Sequence, residues 1–132
     1  MLLVRALYYS QAASTHREEI DTVLAAARRN NPALGLTGAL VHDRGRYVQV
    51  LEGARPVVSA TLARIAADPR HTRMTVAEFC EIGERRYPGW IMAFADADAR
   101  FHPVRLTDFD TAPAEAIHRQ LAFYLVEARD AA

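Results

Sequence analysis

Residues 36–53, LTGALVHDRGRYVQVLEG, predict two strands joined by a tight turn. Residues 36–42 and 47–51 are rich in apolar and β-branched side chains, which favour strands. Between them, Gly45 supplies the residue type that a hairpin turn needs at a positive φ angle. We therefore expect a β-hairpin here, and the rest of the chain can be placed around it.

Gln49 is the informative residue of this hairpin. In a pleated strand Tyr47, Gln49 and Leu51 share one face, while Val48 and Val50 share the other. If the face of Tyr47 and Leu51 enters the core, the Gln49 amide goes with it. A buried amide needs hydrogen-bond partners, and leaving it without them costs about 1–3 kcal/mol. A bound ligand is one such partner.

Composition narrows the classes of protein and partner. The 132 residues predict one domain with a single core, and 16 basic against 16 acidic residues create no net field that would attract nucleic acid or a membrane surface. The single Cys80 excludes an internal disulfide and fits a reducing cytosol. Neither a signal peptide nor an apolar run of membrane-spanning length occurs. We expect a cytoplasmic protein whose partners are small molecules or proteins.

The remaining elements follow from hydrophobic periodicity and from helix start and stop signals. They are a strand at 2–9, a helix from a capping box at 15–18 to about 29, the hairpin, a helix from 56 to about 68, strands at 74–82 and 90–95, and a last helix at 111–129. The order strand, helix, strand, strand, helix, strand is the ferredoxin-like plan. The predicted fold is therefore α+β: a βαββαβ core with an added fifth strand, two helices on one sheet face and a C-terminal helical tail on the other.

This plan makes strands one and three neighbours, because the crossovers are right-handed. Tyr8 then lies beside Gln49 on the core face, below the two helices. Those helices would form the walls of any pocket. Their expected contributions are Leu24, Asn30, Asn31 and Ile65.

The sequence lacks the motifs of several common kinds of catalytic or metal site. There is no glycine-rich phosphate loop, no CxxC and no HExxH, and the five histidines do not pair at metal-ligand spacing, so we predict no metal site. Cys80 lies in a strand pattern, where a thiol is usually an inert core residue. We expect function to depend on polar residues in the predicted core.

Five stretches together resemble one family. They are YYSQA at 8–12, NNPALGLTGAL at 30–40, YVQVLEG at 47–53, IAADPRH at 65–71 and RRYPGWIM at 85–92. In this order and at this spacing they resemble the BLUF family, sensors of blue light using flavin. The resemblance implies a flavin-binding sensor domain at 1–96, with 97–132 as a helical extension in the same compact unit.

The resemblance also implies the cofactor and the photochemical residues. A flavin, usually FAD with FMN as the alternative, would lie non-covalently between the two helices with its ring over Tyr8 and Gln49. Tyr8 would donate an electron and a proton to the excited flavin, and the Gln49 amide would bridge Tyr8 and the N5/O4 edge. Trp90 and Met92 would lie near the glutamine and change arrangement with illumination.

The other contacts of the cofactor are implied in the same way. Asn31 would hold the carbonyl and imide edge of the ring, with Asn30 beside it. The second polar edge and the ribityl-phosphate side would be lined by Arg64, Asp68, Arg70 and His71.

The chemistry of the two central side chains agrees with these roles. A phenol with a pKa near 10 is a poor acid, but its proton becomes labile once the ring loses an electron. The oxygen and NH₂ ends of a glutamine have opposite hydrogen-bonding character, so rotation or tautomerisation rewires the bonds to the ring. We expect a small red shift of the flavin absorption and no bond to a substrate.

The predicted function is that of a non-enzymatic photoreceptor that signals to an unidentified protein partner. The broad apolar surface of the last helix predicts a homodimer or larger homo-oligomer. One alternative is a flavin-free ferredoxin-like interaction module, in which Tyr8 and Trp90 are core aromatics and the two asparagines cap a helix. A second is an acyl-phosphate hydrolase, but the first βα loop lacks the phosphate cradle that this reaction needs.

Overall fold

The computed structural model describes residues 2–14, 16–43, 45–88, 93–96 and 108–131. The elements are β1 (Leu3–Ala12), α1 (Arg17–Asn30), β2 (Thr37–Asp43), β3 (Arg46–Ala54), α2 (Arg55–Ala67), β4 (His71–Ile82), β5 (Ala93–Asp96) and α3 (Ala114–Ala131). Among these described helices, none is long and apolar enough to cross a membrane.

The strands form one sheet in the order β4-β1-β3-β2-β5. β1 pairs antiparallel with both β3 and β4, β2 pairs antiparallel with β3, and β5 lies parallel to β2. The predicted α+β fold with β1 beside β3 is confirmed. This adjacency brings the middle of the first strand against the middle of the hairpin.

Several boundaries differ from the predictions. β1 continues to Ala12 and β4 begins at His71, because the two strands pair with each other as far as these residues. The N-cap of α1 is His16, one position after the start of the predicted capping box, and its side chain makes no capping bond; Thr15, the capping residue of that prediction, lies outside the described residues. α3 begins three residues later than predicted, because the Asp108 carboxylate accepts bonds from Asp110 N and Thr111 Oγ1 and closes a turn first.

Two glycines allow the hairpin to form. Gly45 has φ +74° at the turn, which confirms the predicted positive angle. Gly38 has φ +154°, and a Cβ atom at this position would lie 1.9 Å from the carbonyl oxygen of Val50 on the neighbouring strand. Only glycine allows β2 and β3 to approach this closely.

The sheet separates two apolar cores. The α1/α2 face is packed by the two helices through Ile20 and Val58, and its sheet residues include Val4, Tyr47 and Leu51. The α3 face is covered by Ile117 and Leu121 from α3 and by Phe109; its sheet residues include Leu7, Tyr9, Val48 and Val50. The alternation along β1 and β3 thus assigns the two faces as the sequence predicts. Tyr124, Leu125 and Val126 of the predicted tail have side chains outside the described part.

Candidate functional site

Tyr8 and Gln49 lie directly opposite each other on β1 and β3. Tyr8 is fully buried, and its hydroxyl donates a hydrogen bond to Gln49 Oε1. Burial, followed by the nearby Tyr47 and Asp68, raises the pKa of Tyr8 well above its usual value of 10. The phenol therefore stays protonated and acts as the donor in this pair.

A cavity of about 230 Å³ lies between α1 and α2, above Gln49. Its lining residues come from the two helices, from β3 and from the turn into β4: Val23, Ala26, Ala27, Asn30, Asn31, Gln49, Thr61, Arg64, Ile65, Asp68, Arg70 and His71. Tyr8 lies behind Gln49 rather than on the wall. The glutamine amide is thus the group that separates the phenol from any occupant.

Eight of the nine residues that the sequence predicted to contact a cofactor line this cavity: Asn30, Asn31, Gln49, Arg64, Ile65, Asp68, Arg70 and His71. The ninth, Leu24, is on α1, but its side chain is not described. Trp90 and Met92, the predicted switch residues, lie outside the described residues.

Asn31 presents an unused donor at this site. It is buried directly after α1, where its carbonyl oxygen accepts bonds from Leu34 N and Leu36 N and fixes the backbone. Within the described part of the chain, its Nδ2 atom has no hydrogen-bond partner. A buried amide left in this way costs about 1–3 kcal/mol, so an acceptor such as a ring carbonyl would complete the site.

Charged groups border the same cavity. Arg70 Nη2 lies 2.6 Å from Asp68 Oδ2, and Arg70 Nε lies 3.0 Å from Asp68 Oδ1. The Arg70 side chain holds the pKa of Asp68 below its usual value. Arg64 is exposed at the rim, where its Nη2 atom lies 3.3 Å from Thr61 Oγ1. Both arginines line the cavity, and a guanidinium group suits a phosphate.

His71 lies close to two tyrosine rings of this face. Its Nδ1 atom is 2.9 Å from Ser10 Oγ, and its ring centroid is 4.8 Å from that of Tyr47 and 6.3 Å from that of Tyr8. Burial lowers the pKa of His71, so the neutral imidazole is favoured. The Tyr47 hydroxyl is buried and makes no hydrogen bond within the described residues.

The sequence analysis missed Thr61, Ser10 and Tyr47 as polar groups of this site. Thr61 had a usable signal, because it lies between Val58 and Ile65 on the buried stripe of α2, where a polar residue is unexpected. Ser10 and Tyr47 are direct partners on β1 and β3, which becomes visible only with the strand register.

The chain matches the family model described as "BLUF: Sensors of blue-light using FAD" over residues 3–93. It belongs to the BLUF family. The matched residues contain the whole cavity together with Tyr8 and Gln49. BLUF domains are blue-light sensors that bind a flavin, and the predicted resemblance is confirmed.

Other BLUF-containing proteins place the chain within this family. Photoactivated adenylate cyclase subunit beta of Euglena gracilis is 35% identical over 107 residues, which cover 78% of this chain and 12% of that protein. The subunit beta-like protein FB of the same organism is 34% identical over an equal length. The chain thus spans about an eighth of the length of these curated relatives.

Solved structures share the fold. The dark-state structure of the BLUF protein BlrB is 31% identical with a TM-score of 0.70, covering 74% of each chain. The photo-activated state of BlsA has a TM-score of 0.77 at 21% identity and covers 94% of this chain and 95% of that one. The second likeness concerns the fold alone.

The residues present fit a flavin. The unpartnered Asn31 NH₂ group, the Gln49 amide and the Arg64 and Arg70 guanidiniums offer hydrogen bonds to the carbonyl, imide and phosphate groups that a flavin nucleotide carries. The apolar part of the wall, from Ala27 and Ile65, suits the faces of a planar ring. The cavity thus combines apolar walls with a few convergent polar groups.

Proposed function

We propose that this chain is a blue-light photoreceptor that holds FAD non-covalently between α1 and α2 and reports illumination through reversible photochemistry. The observation that supports this most strongly is the buried Tyr8–Gln49 hydrogen bond at the cavity wall. A bound flavin supplies the light absorption and the electron acceptor. The chain supplies the electron and proton donor, the relay and the orientation.

Tyr8 would release one electron to a bound flavin and its proton to Gln49 Oε1, which accepts the phenol hydrogen bond, while the Gln49 NH₂ group would release a proton towards the cavity so that the amide stays neutral. The amide then rotates or tautomerises and presents different donors to the cavity. In the dark, return of one electron and one proton to Tyr8 would restore both residues. Trp90 and Met92 complete the proposed switch, as the family resemblance implies.

Recognition of the cofactor is assigned to the remaining cavity residues. Asn31 donates to a ring carbonyl, with Asn30 beside it at the rim. Arg64, Arg70, Asp68 and His71 hold the ribityl-phosphate side, and Leu24 and Ile65 contribute apolar surface. FAD is proposed over FMN because the matched family is described by FAD.

The output is proposed to be protein association rather than catalysis. Two relatives are photoactivated adenylate cyclase subunits, of which the matched part is 12% of the whole. We assign residues 1–96 to the sensor and 97–132 to an extension that signals to a protein partner, in a cytoplasmic homodimer or larger homo-oligomer. The apolar residues on α3 support this assignment, because Phe123 is 38% exposed.

The competing function is a flavin-free interaction module with the same fold. The cavity counts against it, because a domain that binds no ligand gains nothing from an unsatisfied buried Asn31 donor.

An absorption experiment tests the proposal. The protein purified in the dark is expected to show flavin bands that shift reversibly to the red under blue light. Gln49→Leu is expected to keep the flavin and lose the shift, whereas Gln11→Leu, the same change at an exposed position, keeps both. A protein without flavin bands after incubation with excess FAD would favour the interaction module.

A further inference from the structure

A buried carboxylate lies on the α3 face, away from the cavity. Glu52 on β3 is fully buried and accepts three hydrogen bonds: from Arg5 Nε at 2.8 Å, from Arg86 N at 3.0 Å and from Tyr87 N at 2.7 Å. Two of these donors are backbone groups of the segment that follows β4. Glu52 therefore fixes this segment to the middle of the sheet.

The same segment is tied to α3 by side chains. The Tyr87 hydroxyl lies 2.9 Å from His118 Nδ1, and His118 Nε2 lies 2.9 Å from Glu78 Oε1 on β4. Burial raises the pKa of Tyr87 to about 12, so the protonated phenol donates to Nδ1. His118 Nε2–H then donates to the carboxylate of Glu78. We call Glu52, Tyr87, His118 and Glu78 the latch.

The latch and the photochemical pair share two strands. Arg5 and Glu52 are direct partners on β1 and β3, and so are Tyr8 and Gln49. Three positions separate the two pairs along each strand, and alternation places them on opposite faces of the sheet. A shift of β3 at Gln49 thus reaches Glu52 through a short, fully paired stretch of backbone.

We propose that the latch carries the state of Gln49 to α3. A change in the Gln49 hydrogen bonds moves β3, Glu52 moves with it, and the backbone of Arg86 and Tyr87 follows. The Tyr87–His118 bond then changes the position of α3 relative to the sheet. The inference rests on the proposed function, because it needs the light reaction at Tyr8 and Gln49 as its input.

A second polar link offers a matched control. The Tyr9 hydroxyl donates to Asp110, which precedes α3, and Tyr9 is adjacent to Tyr8 in the chain. Tyr9→Phe and Tyr87→Phe each remove one hydroxyl from the α3 face and keep the ring. The two variants therefore distinguish the latch from a general loosening of α3.

The experiment is hydrogen exchange of the flavin-loaded full chain in the dark and under continuous blue light, read in α3 (Ala114–Ala131), alongside the absorption shift. We expect a light-minus-dark difference in α3 for the unmodified protein and for Tyr9→Phe. Tyr87→Phe is expected to keep the red shift and to lose this difference. A purely structural role would change protection equally in both states and leave the difference intact.

Three outcomes would overturn the latch: no light-dependent difference in α3 of the unmodified protein, an undiminished difference in Tyr87→Phe, or equal losses in both tyrosine variants. If Tyr87→Phe does not fold, Glu78→Gln removes the charged acceptor of His118 and is expected to lose the difference in its place. A chain with no red shift refutes the proposed function itself, whereas a normal shift with an undiminished difference in the latch variants refutes only the latch.

Discussion

The two faces of the sheet satisfy their buried polar groups in different ways. On the α1/α2 face, Asn31 Nδ2 and the Tyr47 hydroxyl have no partner among the described residues. On the α3 face, Glu52 accepts three hydrogen bonds and both ring nitrogens of His118 are engaged. One face thus leaves buried polar groups available to a ligand, and the other is completed by the chain itself.

Packing explains this contrast. The two helices on the first face leave a cavity of about 230 Å³ between them. On the other face, Phe109, Ile117 and Leu121 pack in the apolar core, and the cavity there, of about 320 Å³, lies beside Tyr9, Phe109 and Asp110 rather than at Glu52 or His118. Glu52 and His118, the buried polar groups there, find their hydrogen-bond partners within the chain.

The largest expected effect of a substitution concerns the α3 face, where the chain itself pairs the buried polar groups. Glu52→Ala removes the hydrogen-bonded partner of Arg5, which keeps only the 4.0 Å ion pair with Glu78, and removes the acceptor of two backbone N–H groups. We expect a loss of about 3–5 kcal/mol in the free energy of unfolding, measured by urea denaturation. Glu115→Ala, which removes an exposed partner of Arg86, should leave stability nearly unchanged. Equal losses of unfolding free energy in Glu52→Ala and Glu115→Ala would contradict the structural importance given to Glu52.

The next largest effect is on cofactor binding and concerns the α1/α2 face, which holds the cavity. Asn31→Ala removes the buried amide proposed to contact the flavin, which should cost about 1–3 kcal/mol of binding free energy and raise the Kd for FAD about 5- to 150-fold. Asn30→Ala changes an exposed neighbour at the rim and should have a smaller effect. Titration of the apoprotein with FAD measures both. A larger effect at Asn30 would mean that the ring contacts the other asparagine.

The sequence predicted the α1/α2 face better than the α3 face. Period-two alternation along β3 assigns Gln49 and Val48 to opposite faces with no knowledge of the rest of the fold. The role of Glu52 depends instead on which element covers its face, so an acidic residue in a strand could not be distinguished from a solvated one. His118 is likewise a buried hydrogen-bond partner of Tyr87 only because α3 packs on the sheet.

The smallest expected effect is a pH dependence of stability that comes from His71 on the α1/α2 face. Burial lowers the pKa of His71 below its usual 6.5, so as the pH falls below that value the unfolded chain takes up a proton before the folded chain does. Stability therefore falls with acid in this range, and His71→Gln should remove part of the fall. Urea midpoints at neutral pH and at a pH of about 5 test this. An identical decline in both proteins would show that His71 contributes nothing to it.

The most direct test of the account compares two adjacent tyrosines on opposite faces of β1. Tyr8 lies on the α1/α2 face and bonds to Gln49, and Tyr9 lies on the α3 face and bonds to Asp110. The measurement is the light-induced absorption shift of the flavin-loaded Tyr8→Phe and Tyr9→Phe variants. The account predicts that Tyr8→Phe retains the flavin and loses the red shift, while Tyr9→Phe retains both. A full, reversible red shift in Tyr8→Phe would contradict it.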